Sequence, residues 1–126
     1  MKKKNTVAFN FILDYLTAAS PEVKPMFGCH AVYLGDKIMI ILRKKDPSDA
    51  DNGVWIATDT VHHEGLKKEF PAMRSIRIFG ESGSKWQLLP EESDDFESAA
   101  LRLCEFILKQ DNRIGKIPVK KKKKAK

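Results

Sequence analysis

The feature that most constrains the fold is a pair of apolar runs separated by Gly35 and Asp36. A glycine followed by an aspartate between two such runs is typical of a two-residue β-hairpin turn, because both residues tolerate positive φ angles. Residues 38–42 are apolar without alternation, which is typical of a strand that is covered on both faces. The sequence therefore predicts strands near 28–34 and 37–43, with the second strand central in a sheet.

Amphipathic helices are predicted on both sides of the strand-rich region. Between residues 6 and 19, apolar side chains recur at spacings of three and four residues, and Pro21 and Pro25 end this helix. Asp94 and Glu97 stand in capping-box spacing at the start of the last helix. The broad apolar face of that helix consists of Phe96, Ala99, Ala100, Leu103, Cys104, Phe106 and Ile107.

A third strand and a short helix are predicted in the middle of the chain. They follow a polar connection at residues 44–52, whose proline, serine and aspartates are typical of turns. Residues 53–58 form the strand. Asp59 or Thr60 caps the short helix, which Pro71 ends.

A second hairpin completes the predicted sheet. Residues 74–79 alternate polar and apolar side chains, which suits a half-exposed strand. Residues 80–84 have the glycine and serine content of a loose turn, and residues 85–89 return as the next strand. The predicted fold class is α+β, with an antiparallel sheet of about five strands, built around two hairpins and covered by the N- and C-terminal helices.

Positive charge is concentrated outside the predicted folded part. The chain carries +6 in total, but residues 1–4 and 111–126 together carry +10 and residues 5–110 carry −4. With 126 residues and 42% hydrophobic content, the chain has room for one domain with a substantial core. We predict a disordered basic N-terminus (1–5), a folded domain (6–110) and a disordered lysine-rich tail (111–126). A groove-binding nucleic-acid protein normally carries its positive charge on the fold itself.

The cysteines and the N-terminal segment indicate a cytoplasmic protein. Cys29 and Cys104 stand far apart and share no CxxC spacing, so we expect free thiols. Residues 2–4 resemble the start of a signal peptide, but the following segment contains Asn10 and Asp14. No apolar run approaches membrane-spanning length, so no membrane partner is expected.

His62, His63 and Glu64 suggest a metal site or an acid–base pair. Adjacent helical residues point about 100° apart, so both imidazoles cannot easily reach one metal ion. A site would need Cys29 or His30 to arrive from the hairpin. Surface histidines are the simpler interpretation.

Cys29 beside His30 suggests a thiolate–imidazole nucleophile, but neighbours on a strand point to opposite faces. A packed strand cysteine is the simpler interpretation, and Cys104 fits the core of the last helix. An enzyme that uses Cys29 or His62 is a third hypothesis. We predict no catalytic, cofactor-binding or metal-binding residue and no cofactor.

The two tryptophans have two interpretations. Trp55 and Trp86 could be stacking platforms for nucleic-acid bases. Strand aromatics more often pack against a helix or a neighbouring strand. On that basis we expect Trp55 to share one hydrophobic cluster, between the sheet and the helices, with Ile40 and Leu103.

Basic residues are the candidates for nucleic-acid contact. Two follow one another at the end of the second strand, two lie on the second hairpin, and five form an unbroken run near residue 120. They are Arg43, Lys44, Arg74, Arg77, Lys120, Lys121, Lys122, Lys123 and Lys124. The first four contact phosphates or an acidic partner, or they are solvated strand ends. The lysine run binds nucleic acid by counterion release, or it is a solvated segment without a fixed partner.

Three separate segments share a pattern with a known family. One is Met26-Phe27-Gly28 followed by Tyr33, Gly35, Lys37 and Met39; the others are Val54-Trp55-Ile56-Ala57 and Trp86-Gln87-Leu88-Leu89-Pro90-Glu91-Glu92. In this order they resemble the N-terminal domain of the TfoX/Sxy family of bacterial competence regulators. A more distant likeness is to the double-wing α/β fold of the MmcQ/YjbR family. Cys29 departs from the family's second glycine.

The resemblance covers roughly residues 6–109 and implies a TfoX N-terminal or YjbR-like fold. The basic tail stands where full-length competence regulators carry a separate helical domain. We expect a small non-enzymatic cytoplasmic module for regulation or protein interaction, with an unidentified protein as partner. The alternative is a nucleic-acid-binding accessory protein whose non-specific affinity comes from the lysine-rich tail. The sequence leaves a homodimer open.

Overall fold

The computed structural model describes residues 9–26, 28–45, 51–76 and 86–117. The helices are α1 (Asn10–Leu16), α2 (Thr60–Glu69) and α3 (Phe96–Leu108), and a short 3-10 helix (Thr17–Ala19) extends α1. The strands are β1 (Glu22–Met26), β2 (Cys29–Leu34), β3 (Lys37–Arg43), β4 (Gly53–Ile56), β5 (Arg74–Ser75) and β6 (Gln87–Pro90). None of these helices has the length and apolar character needed to cross a lipid bilayer.

The described strands form one antiparallel sheet of six strands in the order β1-β2-β3-β4-β6-β5. This confirms the α+β class, with one more strand than predicted. The additional strand is β1, which contains Pro25 and pairs only with β2. Proline is tolerated on an edge strand, where a missing N–H breaks no ladder. Pro25 therefore does more than end a helix, because it also lies within an edge strand.

The central hairpin is confirmed. Gly35 has a φ of 62° in the tight turn between β2 and β3. The two strands pair in register until a β-bulge, where Val32 faces Ile40 but Tyr33 faces Ile38. Met39 is the additional residue of this bulge, which bends the strand locally.

Two predicted helix boundaries change. The helix predicted over residues 6–19 begins at Asn10 among the described residues, and residues 6–8 lie outside them. The predicted capping box of Asp94 and Glu97 is wrong, because the N-cap residue of α3 is Asp95. The side chain of Asp95 accepts a hydrogen bond from Ser93 instead of capping the helix.

The sheet separates two hydrophobic clusters. The helix-side cluster lies between the sheet and all three helices, whereas the second-face cluster packs on the opposite face. Along β4, Ile56 enters the first cluster and Trp55 the second. The prediction that Trp55 shares a cluster with Ile40 and Leu103 is therefore wrong for Trp55, since period-two alternation sends it to the other face.

Residues 111–117, called the strap below, return from the end of α3 to the sheet. Ile114 is completely buried, and Lys116 forms an antiparallel bridge with Ile38. This part of the predicted disordered tail is therefore folded, and the domain boundary predicted at residue 110 is too early. Residues 1–5 and 118–126 lie outside the described residues.

Candidate functional site

The two thiols lie on opposite sides of the sheet. Cys29 is buried in the second-face cluster and Cys104 in the helix-side cluster. Burial raises the pKa of the Cys104 thiol to about 12, and the nearby charge of Glu105 acts in the same direction. Cys104 is consequently protonated at neutral pH, and it lacks the thiolate that nucleophilic chemistry requires.

The histidines lie on two different elements, β2 and α2. His30 is half-buried beside the buried Cys29, and His62 and His63 are half-buried on α2. Within the described ranges, no group of three or more His, Cys, Asp or Glu side chains is placed to hold a metal ion.

Two of the predicted basic residues at the end of β3 have contacts within the chain. Arg43 is only 7% exposed, and its guanidinium lies 5.3 Å from the ring centroid of Trp55. Lys44 is exposed and forms an ion pair with Glu91, and its ammonium lies 5.7 Å from the ring of Phe9. Of these two residues, only Lys44 presents its charge to solvent.

The third basic candidate, Arg74, lies on β5. Its guanidinium is 3.5 Å from the carboxylate of the buried Asp51 and donates a hydrogen bond to the carbonyl oxygen of Ser75 at 3.0 Å. Arg74 and His63 line one shallow groove of about 400 Å³ between α2 and the β5–β6 edge. The structure thus brings together two residues from different elements that no local sequence pattern connects. Arg77 and Lys120–Lys124 lie outside the described residues.

Both tryptophans pack on the second face of the sheet. Trp55 is 9% exposed, and its indole N–H donates a hydrogen bond to the carbonyl oxygen of Asp51 at 3.0 Å. Trp86 is half-buried against the same cluster. The packing interpretation is therefore confirmed for Trp55, whose ring has too little exposed area to stack on a base.

A second concave surface, called the α2–α3 groove below, was missed by the sequence analysis. It has a volume of about 380 Å³ and lies between the end of α2 and the outer face of α3. Its lining includes the apolar residues Phe70, Pro71, Ala72, Leu89, Ala99 and Leu101 and the charged residues Glu69, Asp95, Arg102 and Glu105. No local motif marks this groove, because its walls come from three elements that are separate in sequence.

Side chains across the α2–α3 groove fix its width. Arg102 of α3 forms an ion pair with Glu69 of α2 at 2.7 Å, and its guanidinium lies 5.5 Å from the ring of Phe106. Phe106 in turn packs edge-on against Phe70, with ring centroids 5.5 Å apart. Glu105, which also lines the groove, accepts a hydrogen bond from Tyr15 of α1 at 3.2 Å. The groove thus has an apolar floor and a rim of both charges.

Comparisons of the chain with protein-family models, with curated proteins and with solved structures gave no match. The resemblance to the TfoX N-terminal domain therefore stays a prediction from the sequence.

Proposed function

We propose that this protein is a small non-enzymatic interaction module with a TfoX N-terminal type of fold. The positions of the three segments that carry the resemblance support this fold assignment. Their described residues lie on or next to the end of β1, the β2–β3 hairpin, β4 and β6, and these strands are consecutive in the sheet order. Segments far apart in the chain are thus joined in one part of the sheet.

The α2–α3 groove is the observation that carries the binding role. Protein interfaces commonly combine an apolar centre with a polar rim, and arginine is enriched in them. Here Leu101 and Ala99 line the groove while Arg102 stands at the rim with more than half of its side chain exposed. The partner that fits is a polypeptide segment that places an apolar side chain in the groove and a carboxylate or amide near Arg102.

Affinity capture with matched variants tests this role. The full chain, an Arg102→Glu variant and a Lys109→Glu control are used as bait in lysates of the source cells, with and without nuclease. Both substitutions reverse a charge on or next to α3, but only Arg102 lines the groove. We expect a stoichiometric protein partner that resists nuclease, is retained by the control and is lost with Arg102→Glu. Equal retention by both variants would contradict the groove assignment.

A second candidate function, non-specific binding of nucleic acid, is favoured by the strap. The strap fixes the chain to the sheet as far as Lys116, whose ammonium lies 3.1 Å from the carboxylate of Asp59. Five consecutive lysines begin at Lys120, four positions after Lys116. The lysines are thereby joined to one fixed point of an acidic body, so an anionic polymer bound by them would be held beside the start of α2.

A salt series tests the second candidate. Duplex DNA binding is followed by fluorescence anisotropy for the full chain and for residues 1–117, a boundary that retains the buried Ile114. If about five phosphates are neutralised, the log–log salt slope of the full chain should be roughly −4 to −5. The shorter chain should bind much more weakly. Equal affinities would exclude the lysine run and direct mutagenesis to Lys44 and Arg74.

A further inference from the structure

The strap occupies a slot between two strands of the sheet. The Ile38 N–H donates to the Lys116 carbonyl and the Lys116 N–H donates to the Ile38 carbonyl, both at 2.9 Å. On the other side, the Gly115 N–H donates to the carbonyl of Ala57 at 2.7 Å. The strap therefore behaves as a short additional strand between the start of β3 and the end of β4.

The slot exists because β3 and β4 separate at the bulge. Their last paired residues are Ile40 and Ile56, and beyond them the Ala57 N–H donates to the carbonyl of Met39 at 3.1 Å. Further on, both backbone groups of Ile38 turn to the strap. Without a strand in the slot, these groups would lose their hydrogen bonds, which is costly in a buried region.

The fit between strap and slot is specific for residue type. The side chain of Ile114 is completely buried in the helix-side cluster. Gly115 has a φ of 103°, and a Cβ atom there would lie 2.7 Å from the sulfur of Met39. The Thr58 hydroxyl donates to the carbonyl of Arg113 at 2.7 Å. The slot thus accepts an aliphatic residue followed by glycine.

A strained turn joins α3 to the strap. Gln110 has a φ of 62°, its N–H donates to the carbonyl of Ile107, and the Asp111 N–H donates to the carbonyl of Phe106. These bonds define a Schellman motif, in which the left-handed position is usually glycine. A glutamine there is disfavoured, so the turn that folds the strap back opposes part of the stabilisation that the slot provides.

We infer that the slot between β3 and β4 also accepts the strap of a second copy, which gives a dimer with exchanged straps. The contacts that Arg113, Ile114, Gly115 and Lys116 make with the slot are the same in both forms. The turn at Gln110 differs, and the hydrogen bond from the Asp111 N–H to the Phe106 carbonyl opens with it. Strained hinges are known to favour such exchange. Closure within one chain benefits from an effective concentration of order mM, so exchange requires high protein concentration, above all during refolding.

Disulfide trapping between two variants, each with one added cysteine, tests the exchange directly. Ile38 and Lys116 exchange both hydrogen bonds, and such residue pairs have Cα atoms about 5.5 Å apart, which suits a disulfide. Full chains with Ile38→Cys and with Lys116→Cys are mixed, unfolded, refolded at high concentration and oxidised. Neither chain can form this bond within itself. The native Cys29 and Cys104 are buried in the folded protein.

Non-reducing electrophoresis gives the result. We expect a heterodimer several-fold more abundant than in a control mixture of Ile38→Cys with Lys68→Cys, which places the second thiol on the exposed side of α2. Equal yields in the two mixtures would overturn the proposal.

Two hinge variants keep the proposal testable if the cysteine variants fold poorly. Gln110→Gly relieves the left-handed turn and should give less dimer than the native chain after refolding at high concentration. Gln110→Pro cannot adopt a positive φ and should give more. Light scattering measures the masses, and a monomer for all three chains would overturn the exchange.

Discussion

Asp111 and Arg113 hold the first part of the strap. Arg113 donates its backbone N–H and its Nε–H to one carboxylate oxygen of Asp111, both at 3.0 Å, and an Nη2–H to the other at 2.7 Å. These hydrogen bonds hold the pKa of the Asp111 carboxyl below its usual range, although partial burial opposes the shift. The same pairing raises the pKa of Arg113. His62 acts on the pKa of Asp111 in the same lowering direction.

The lowered pKa of Asp111 predicts a pH-dependent contribution to stability. An unfolded aspartate titrates near pH 3.9, and the folded one titrates lower, so the unfolded state binds the proton first. The contribution is complete above about pH 5 and is lost as the pH falls below about 4. We expect Asp111→Asn to lower the free energy of urea unfolding at pH 7 and to have little effect at low pH. Asp14→Asn, on the exposed side of α1, is the control and should show no such dependence.

Gly115 is a position of the strap where any side chain would be both strained and crowded. Substitution by alanine would place a side chain in the left-handed region and within 2.7 Å of the Met39 sulfur. Backbone strain of this kind costs about 1–3 kcal/mol, and the methionine side chain can move to relieve part of the contact. We expect Gly115→Ala to lower the free energy of unfolding by that amount. Gly35→Ala is the comparison. Gly35 also has a positive φ of 62°, but a Cβ there would meet nothing within 4 Å, so the difference between the two losses measures the contact with Met39.

At the scale of elements, α3 shows what periodicity can predict. Five of its seven predicted face residues are buried, and Ala99 and Phe106 are partly buried against the same cluster. The 3.6-residue period fixes this face locally, without knowledge of the partner. The start of the helix at Asp95 could not be predicted from periodicity. The side chain of Asp95 accepts a hydrogen bond from Ser93 and not from a backbone N–H of the helix.

Truncation of Leu103 measures how much α3 contributes. Leu103 is completely buried in the helix-side cluster, so Leu103→Ala removes apolar contacts and leaves a cavity. We expect a loss of roughly 2–5 kcal/mol in the free energy of urea unfolding. Leu101→Ala, at a half-buried position of the same helix, should cost clearly less. A loss below about 0.5 kcal/mol for Leu103→Ala would contradict the burial of this side chain.

At the scale of the whole molecule, the sequence predicted the elements better than their long-range contacts. The hairpin turn at Gly35 and the class of the fold follow from local patterns. The strap does not follow from a local pattern. The positions of Ile114 and Gly115 depend on packing and hydrogen bonds with residues near β3 and β4, which are far away in the chain. The α2–α3 groove could not be predicted for the same reason, since its lining comes from elements that are separate in sequence. Arg43 looked like a solvated strand end because nothing local reveals that its guanidinium packs against the ring of Trp55 on β4.

The separation of the two clusters by the sheet has an optical consequence. Trp55 and Trp86 both lie on the second face, whereas α1, α2 and α3 bury their apolar sides on the other. Indole emission therefore reports on one side of the sheet and far-ultraviolet circular dichroism mainly on the other. Because β2, β3 and β4 contribute to both clusters, we expect the two signals to give coincident urea transitions. Different urea midpoints for the two signals would mean that the two sides of the sheet unfold independently. Each side would then be followed by its own intrinsic signal, without an added label.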